Sequence, residues 1–271
     1  MIISKMAPDS KIILIRHGQA THNLKDDFNQ HDPPLTPLGK EQCITLLRDA
    51  FAAGEWKDFQ NLDFIVISPL FRTIETGFLV FGKEIREGVK YLVYPEVQET
   101  SANPCDTGRS TADLQKLFPR VDFSECDRTN WLIKQHGFYT RDNLPLRAAF
   151  VRKWLYERPE KVIAVVTHSG FLRWLTPQDF PHVEPRDKYR NCEYRAYQFA
   201  SLVDDDGYGG PYKLVEEQWS RTMRREKRAG ENTMRTPSGE TIESSSDGVA
   251  PENFGGDGAD DETEDQPTIV F

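Results

Sequence analysis

Lys11-Ile12-Ile13-Leu14-Ile15-Arg16-His17-Gly18 is the stretch from which the fold can be read. Four aliphatic residues follow Lys11 without polar interruption and stop abruptly at Arg-His-Gly. A strand with one solvated face alternates apolar and polar residues, whereas an unbroken run belongs to a strand covered on both faces. Three more such runs occur, at Phe64 to Ser68, Tyr91 to Tyr94 and Val162 to Thr167. Between them lie segments with helical spacing, Thr36 to Phe51, Pro69 to Phe81 and Leu144 to Arg158. Strand and helix alternate, which predicts an α/β fold: a mainly parallel central sheet with helices on both faces. Ligands of such sheets gather at the carboxyl ends of the strands. Two further strands are expected at Glu193 to Ala200 and Tyr212 to Val215, ahead of the charged stretch Glu216 to Arg228.

The first helix has a clear start. Thr36 can cap it, Pro37 suits its first turn, and Leu38, Cys43, Leu46 and Leu47 form its apolar stripe. From Glu99 to about Asn143 the text is irregular, with Pro104, Gly108, Pro119 and Gly137 breaking short apolar stretches such as Leu114 to Phe118. This segment reads as an insertion that covers the ligand site. Trp131, Phe138 and Trp154 read as packing residues.

The net charge of -9 is unevenly placed. Ala229 to Phe271 carries about 11 acidic residues and one basic, roughly -10, leaving about +1 for the first 228 residues. Residues 1–228 are therefore expected to form the folded domain. Residues 229–271, poor in large apolar side chains, are expected to be a disordered acidic tail. A balanced domain has no basic footprint for nucleic acid, and the cluster Arg221 to Arg228 reads as a solvated helix face. No run approaches the ~18 apolar residues that a membrane span needs, and the amino-terminal residues show no cleavage-site pattern. Cys43, Cys105, Cys126 and Cys192 have no C-x-x-C spacing and are expected to be reduced thiols. A cytoplasmic location follows as the expectation, with nuclear access left open.

Two histidines occupy equivalent places. His17 lies two residues beyond the run ending at Ile15, and His168 directly follows the run ending at Thr167; both are soon followed by glycine, which lets the backbone approach a ligand. One such histidine would ordinarily be a satisfied turn residue. Two in matching contexts, with Arg16 beside the first and Arg72 about one turn into the helix after Ser68, call for a common explanation. Guanidinium groups match phosphate oxygens in a bidentate way, and imidazoles add further hydrogen bonds. The expected ligand is a small phosphorylated molecule.

Leu14-Ile15-Arg16-His17-Gly18-Gln19-Ala20-Thr21-His22-Asn23 resembles the R-H-G motif, with its downstream Asn, of the histidine phosphatase superfamily, also called the phosphoglycerate mutase-like family. Leu35-Thr36-Pro37-Leu38-Gly39 resembles that family's L-T-x-x-G segment, and Ser68 to Thr76 its S-x-x-x-R-x-x-x-T segment. Thr167-His168-Ser169-Gly170 resembles its second histidine motif. Order and spacing agree over about residues 11 to 200, and the Val97-Gln98-Glu99 and Pro104 to Gly108 words look most like a fungal and plant-like phosphatase branch.

The resemblance implies metal-independent phosphomonoester hydrolysis without a cofactor, through a phosphohistidine on His17. Arg16, Arg72 and His168 would surround the phosphoryl oxygens, with Asn23 and the Ser169 amide completing the shell. Glu99 would be the acid and base, with Glu96 and Asp106 as rivals. His22 and His31 lie in the loop after the first motif, where they could contact substrate, but a polar loop histidine is ordinarily solvated and both stay outside the expected site. Arg109, Arg120 and Lys134 of the insertion could bind a second negative charge, although exposed cations are the default. Two other functions share these motifs: a phosphoglycerate mutase, and an idle relative that only binds phosphorylated partners. Oligomeric state is not legible.

Overall fold

The computed structural model describes residues 9–52, 61–82, 89–119, 121–176, 188–200 and 212–233. In chain order its strands and helices are β1 (Lys11–Arg16), α1 (Pro37–Ala52), β2 (Phe64–Ile67), α2 (Phe71–Phe81), β3 (Lys90–Val93), α3 (Thr111–Leu117), α4 (Ser124–Asp127), α5 (Leu144–Tyr156), β4 (Val162–Thr167), α6 (Ser169–Leu175), β5 (Tyr194–Phe199), β6 (Leu214–Glu216) and α7 (Gln218–Thr233). A compact unit runs to Thr222, and from Met223 a second unit contains the remainder of α7. The expected boundary after residue 228 thus falls within a helix that continues to Thr233, while 234–271 of the expected tail lie outside the described residues.

One six-stranded sheet, in the order β3-β2-β4-β1-β5-β6, forms the middle layer. The four strands β3, β2, β4 and β1 pair in parallel, and β5 and β6 continue the sheet antiparallel. The sheet is therefore mixed, with its parallel part matching the four apolar runs. All six residues of β4 are buried, as its central position requires.

Both faces are covered. Ile12, Leu14, Phe64, Val66, Ile163 and Val165 point into a core shared with Ala148, Val151 and Leu155 of α5 and Phe171, Leu172 and Leu175 of α6. Opposite them, α2 approaches so closely that a Cβ on Gly77 would lie 2.7 Å from the Ile67 side chain. A methyl there would require the Ile67 side chain or the helix to shift.

The entry to α1 is as expected: Thr36 Oγ1 accepts the Gly39 N–H at 2.9 Å, an N-cap hydrogen bond. Its buried stripe differs. Leu38 is half exposed, and the inward line is Gly39, Cys43 and Leu46. Gly39 sets this face, because the helix start lies against the Gln19 backbone, where a Cβ would overlap. The start of α2 has no local cap; Asp32, from the loop after β1, accepts the Phe71 N–H through Oδ1 at 2.9 Å.

The insertion is more ordered than its sequence suggested. It holds α3, α4 and short turns at Pro104–Asp106 and Arg141–Asn143. Trp131 is buried, its ring filling the space above Gly108. Trp154 stacks on Tyr94 at 4.3 Å between ring centroids.

Candidate active site

Parallel pairing of β1 with β4 aligns Arg16 with Thr167, so the residues that follow, His17 and His168, emerge side by side. His17 N–H donates to Thr167 O at 3.0 Å, and Ser68 N–H donates to Val166 O at 3.0 Å. Three adjacent strand ends thus deliver His17, His168 and the start of α2 to one place. The two imidazoles have centroids 5.1 Å apart, and the first turn of α2 brings Arg72 between them.

Arg72 is the hub. Its Nε donates toward His17 Nε2 at 3.3 Å, Nη1 to Cys105 O at 2.6 Å, and Nη2 to Asp106 Oδ1 at 3.0 Å and to His168 Nδ1 at 3.1 Å. The side chain is 1% exposed. Burying a guanidinium is tolerable only when it is paired and hydrogen-bonded, and this one is both.

His17 Nδ1 lies 2.6 Å from Gly18 O, so Nδ1 carries the proton and Nε2 keeps its lone pair toward Arg72. Burial lowers its pKa well below the ordinary histidine value, and the positive charges of Arg72 and Arg16 lower it further. A neutral imidazole with a free Nε2 lone pair is the state a nitrogen nucleophile requires. The loop is fixed from beneath: Thr76 Oγ1 accepts Gly18 N–H at 3.1 Å and donates to Arg72 O at 2.7 Å.

His168 is also neutral, its pKa lowered by burial first and by Arg72 next. Nδ1 accepts from Arg72, which leaves Nε2 as the protonated nitrogen, 2.7 Å from Ser68 Oγ. In this state it orients Arg72. Arg16 Nη1 donates to Tyr189 O at 2.8 Å, while its buried Nε has no partner among the described residues. Ser169 opens α6 directly after His168, and the first N–H groups of a helix have no acceptor within it.

The three candidate carboxyl groups separate cleanly. Glu99 lies over the start of α6, where Oε2 accepts Gly170 N–H at 3.1 Å and Oε1 accepts Thr100 N–H at 2.8 Å. A Cβ on Gly170 would overlap this carboxyl. Burial raises the Glu99 pKa, Asp106 adds to the rise, and Arg72 opposes it. Asp106 is committed to Arg72 and to Ser101 Oγ, 2.5 Å away. Glu96 faces elsewhere: it accepts from Tyr139 Oη at 3.1 Å and lines a cavity of about 470 Å³ with Ile133, Phe138 and Phe150.

Two residues were misplaced by sequence reasoning. His22, read as solvated, is 6% exposed, with its ring centroid 6.2 Å from that of His17. Lys134, read as an exposed cation, is buried; its Nζ donates to Glu99 O at 3.1 Å and also to Asp106 O. Loss of hydration lowers its pKa to about 7. Asn23 is held by its neighbours, Oδ1 accepting Ala20 N–H at 3.0 Å and Nδ2 lying 2.9 Å from His22 Nε2. Arg109 pairs with Asp32 at 3.5 Å and covers the Phe71 ring. His31 is exposed, and Arg120 lies outside the described residues.

Among the described residues no group of three or more His, Cys, Asp or Glu side chains is arranged to hold a metal ion. Nor is any described helix long and apolar enough to cross a membrane.

A family model described as "Histidine phosphatase superfamily (branch 1)" matches residues 12–199. The chain is 31% identical over 226 residues to "Phosphoglycerate mutase-like protein 1" of Arabidopsis thaliana, a match covering 68% of this chain and 79% of that protein. It is 28% identical over 208 residues to a Schizosaccharomyces pombe protein named "Probable phosphatase", covering 73% and 93% respectively. Among solved structures, the ecdysone phosphate phosphatase of Bombix mori in complex with tungstate superposes with a TM-score of 0.53. Sequence identity there is 17%, over 77% of this chain and 92% of that one, so the likeness is one of fold.

Proposed function

The chain belongs to branch 1 of the histidine phosphatase superfamily, and from that premise we propose that it is a phosphatase that hydrolyses small phosphomonoesters through a phosphohistidine on His17. One observation carries the reading: His17 Nδ1 is tied to Gly18 O, leaving a neutral Nε2 beside the Arg72 guanidinium.

In the first step His17 Nε2 attacks phosphorus in line, forming the N–P bond as the ester P–O bond breaks. Glu99, whose pKa burial raises toward that of a proton donor, passes a proton to the leaving oxygen. In the second step the Glu99 carboxylate takes a proton from water, the water oxygen attacks phosphorus, and the N–P bond breaks to release inorganic phosphate. Arg72 and the free Nε of Arg16 stabilise the charge on the equatorial oxygens, the electrostatic task that divalent cations perform in kinases. Asn23 and the Ser169 amide add neutral donors. An arriving phosphate dianion also favours protonation of His168, which turns Nδ1 from acceptor to donor.

A phosphatase fits the insertion better than a mutase. A mutase substrate carries a second anionic group, yet two cations that could bind one, Arg109 and Lys134, are taken up by Asp32 and by backbone carbonyls. The test is a panel of phosphomonoesters assayed for inorganic phosphate, with and without 2,3-bisphosphoglycerate and with and without chelator. Phosphate release independent of both additions is expected, and His17→Ala should abolish it. Strict dependence on the bisphosphate with little release would favour the mutase, and loss of activity in chelator would sink the metal-free mechanism.

A further inference from the structure

The chain of hydrogen bonds around Asn23 fixes which nitrogen of His22 carries a proton. Ala20 N–H donates to Asn23 Oδ1 at 3.0 Å, so the other end of the amide, Nδ2, must face His22. Turning the amide over would bring two N–H groups together at Ala20. Nδ2 is a donor only, so His22 Nε2, 2.9 Å away, must accept and cannot hold the ring proton. The imidazole is neutral: burial, followed by Arg72, lowers its pKa to about 4. The proton therefore sits on Nδ1.

That nitrogen is buried and has no hydrogen-bond partner among the described residues. An unsatisfied buried donor is costly, and native folds leave few of them unless a ligand or water completes the bond. The location points to the missing acceptor. His22 and His17 have ring centroids 6.2 Å apart, at an interplanar angle of 43°. A bent path of about 3 Å from a ring nitrogen to phosphorus, a P–O bond, and about 3 Å from that oxygen to an N–H donor fits between rings this close.

We propose that His22 is a further substrate-binding residue, whose Nδ1–H donates to an oxygen of the phosphoryl group bound at His17. The proposal rests on the reading of this site as a phosphate site. His22 differs in kind from Arg16 and Arg72: it offers a neutral, directional donor whose tautomer Asn23 selects. The pair acts as a unit, because Asn23 keeps a second Nδ2 hydrogen for the same anion while its first fixes His22.

Inorganic phosphate is the probe, since its binding requires no turnover. The amide nitrogen of asparagine stands close to where histidine carries Nδ1, whereas the end of a glutamine side chain reaches the place of Nε2. His22→Asn thus keeps the donor, and His22→Gln keeps only the contact with Asn23. Calorimetry should show His22→Gln binding phosphate about tenfold more weakly than His22→Asn, a ratio expected for one hydrogen bond. In parallel, nitrogen-15 spectra of the wild-type protein should show the ring proton on Nδ1 of His22 and a shift of that signal when phosphate is added. A wild-type protein that binds no phosphate would remove the site reading, and the role of His22 with it. Normal phosphate binding with the proton on Nε2, or with the Gln variant binding as tightly as the Asn variant, would overturn the proposal alone. The spectra read the wild-type protein, so poor folding of either variant leaves the tautomer test intact.

Discussion

Arg72 Nε stands 3.3 Å from His17 Nε2, in the position where phosphorus would arrive. The guanidinium faces the lone pair of the proposed nucleophile while it also holds Cys105 O, Asp106 and His168. In the proposed mechanism a bound phosphoryl group would take over this contact, so that Arg72 would clamp the substrate and free the nucleophile.

Arg72→Ala should therefore lower kcat/KM by about 10³ or more, the scale of other arginines that stabilise phosphoryl transfer. Arg72→Lys should recover little, because one ammonium cannot reach four partners that a planar fork meets together. Steady-state kinetics on a single phosphomonoester decides the matter; a lysine variant within a few-fold of wild type would refute the clamp.

The pH profile follows from two opposite displacements. His17 must be unprotonated, and its pKa lies well below 6.5, so the acid limb should fall well under that value. Glu99 must be protonated for the first step, and its pKa is raised above 4.5, so activity should decline as pH rises through that raised value. Glu99→Gln should slow turnover and erase the basic limb, with a smaller loss for aryl phosphates, whose leaving groups need no proton. A Gln variant that keeps both rate and limb would rule Glu99 out.

Gly170→Ala addresses the same carboxyl from the other side. The new Cβ would overlap the Glu99 side chain, so the carboxyl must leave the Gly170 N–H. Turnover should fall about tenfold or more, with little change in thermal unfolding, since the overlap involves a side chain and no backbone atom of another element. Unaltered kcat in a normally folded variant would show that the Glu99 position is immaterial.

Thr76→Val should act on stability. The buried hydroxyl accepts Gly18 N–H and donates to Arg72 O, and a methyl in its place leaves the amide unsatisfied, at a cost of about 1–3 kcal/mol. Denaturant titration checks this, and an unchanged midpoint would mean that another acceptor has taken over.

The parallel sheet and its two histidines were legible because unbroken apolar runs mark covered strands, and residues just past parallel strands emerge at the same edge. What escaped was set by contacts between distant segments. Leu38 stands five residues before Cys43, about 140° round the helix, whereas Gly39, one turn before Cys43, packs on the Gln19 backbone, so Leu38 faces solvent. His22 looked solvated because its burial depends on how its loop folds back, with Thr21 N–H reaching Pro34 O. The Arg72–Asp106 pair joins residues 34 apart through an insertion whose path no periodicity reveals. Likewise Lys134 is hidden by backbone carbonyls, which leave no mark in composition.

The direct measurement is to quench the enzyme during turnover of a phosphomonoester, under conditions that preserve phosphohistidine, and to locate the phosphoryl group by mass spectrometry. An acid-labile, base-stable phosphoryl group on His17, absent from His17→Ala, is the predicted result. A phosphoprotein that survives in His17→Ala, or wild-type hydrolysis by that variant, would contradict it.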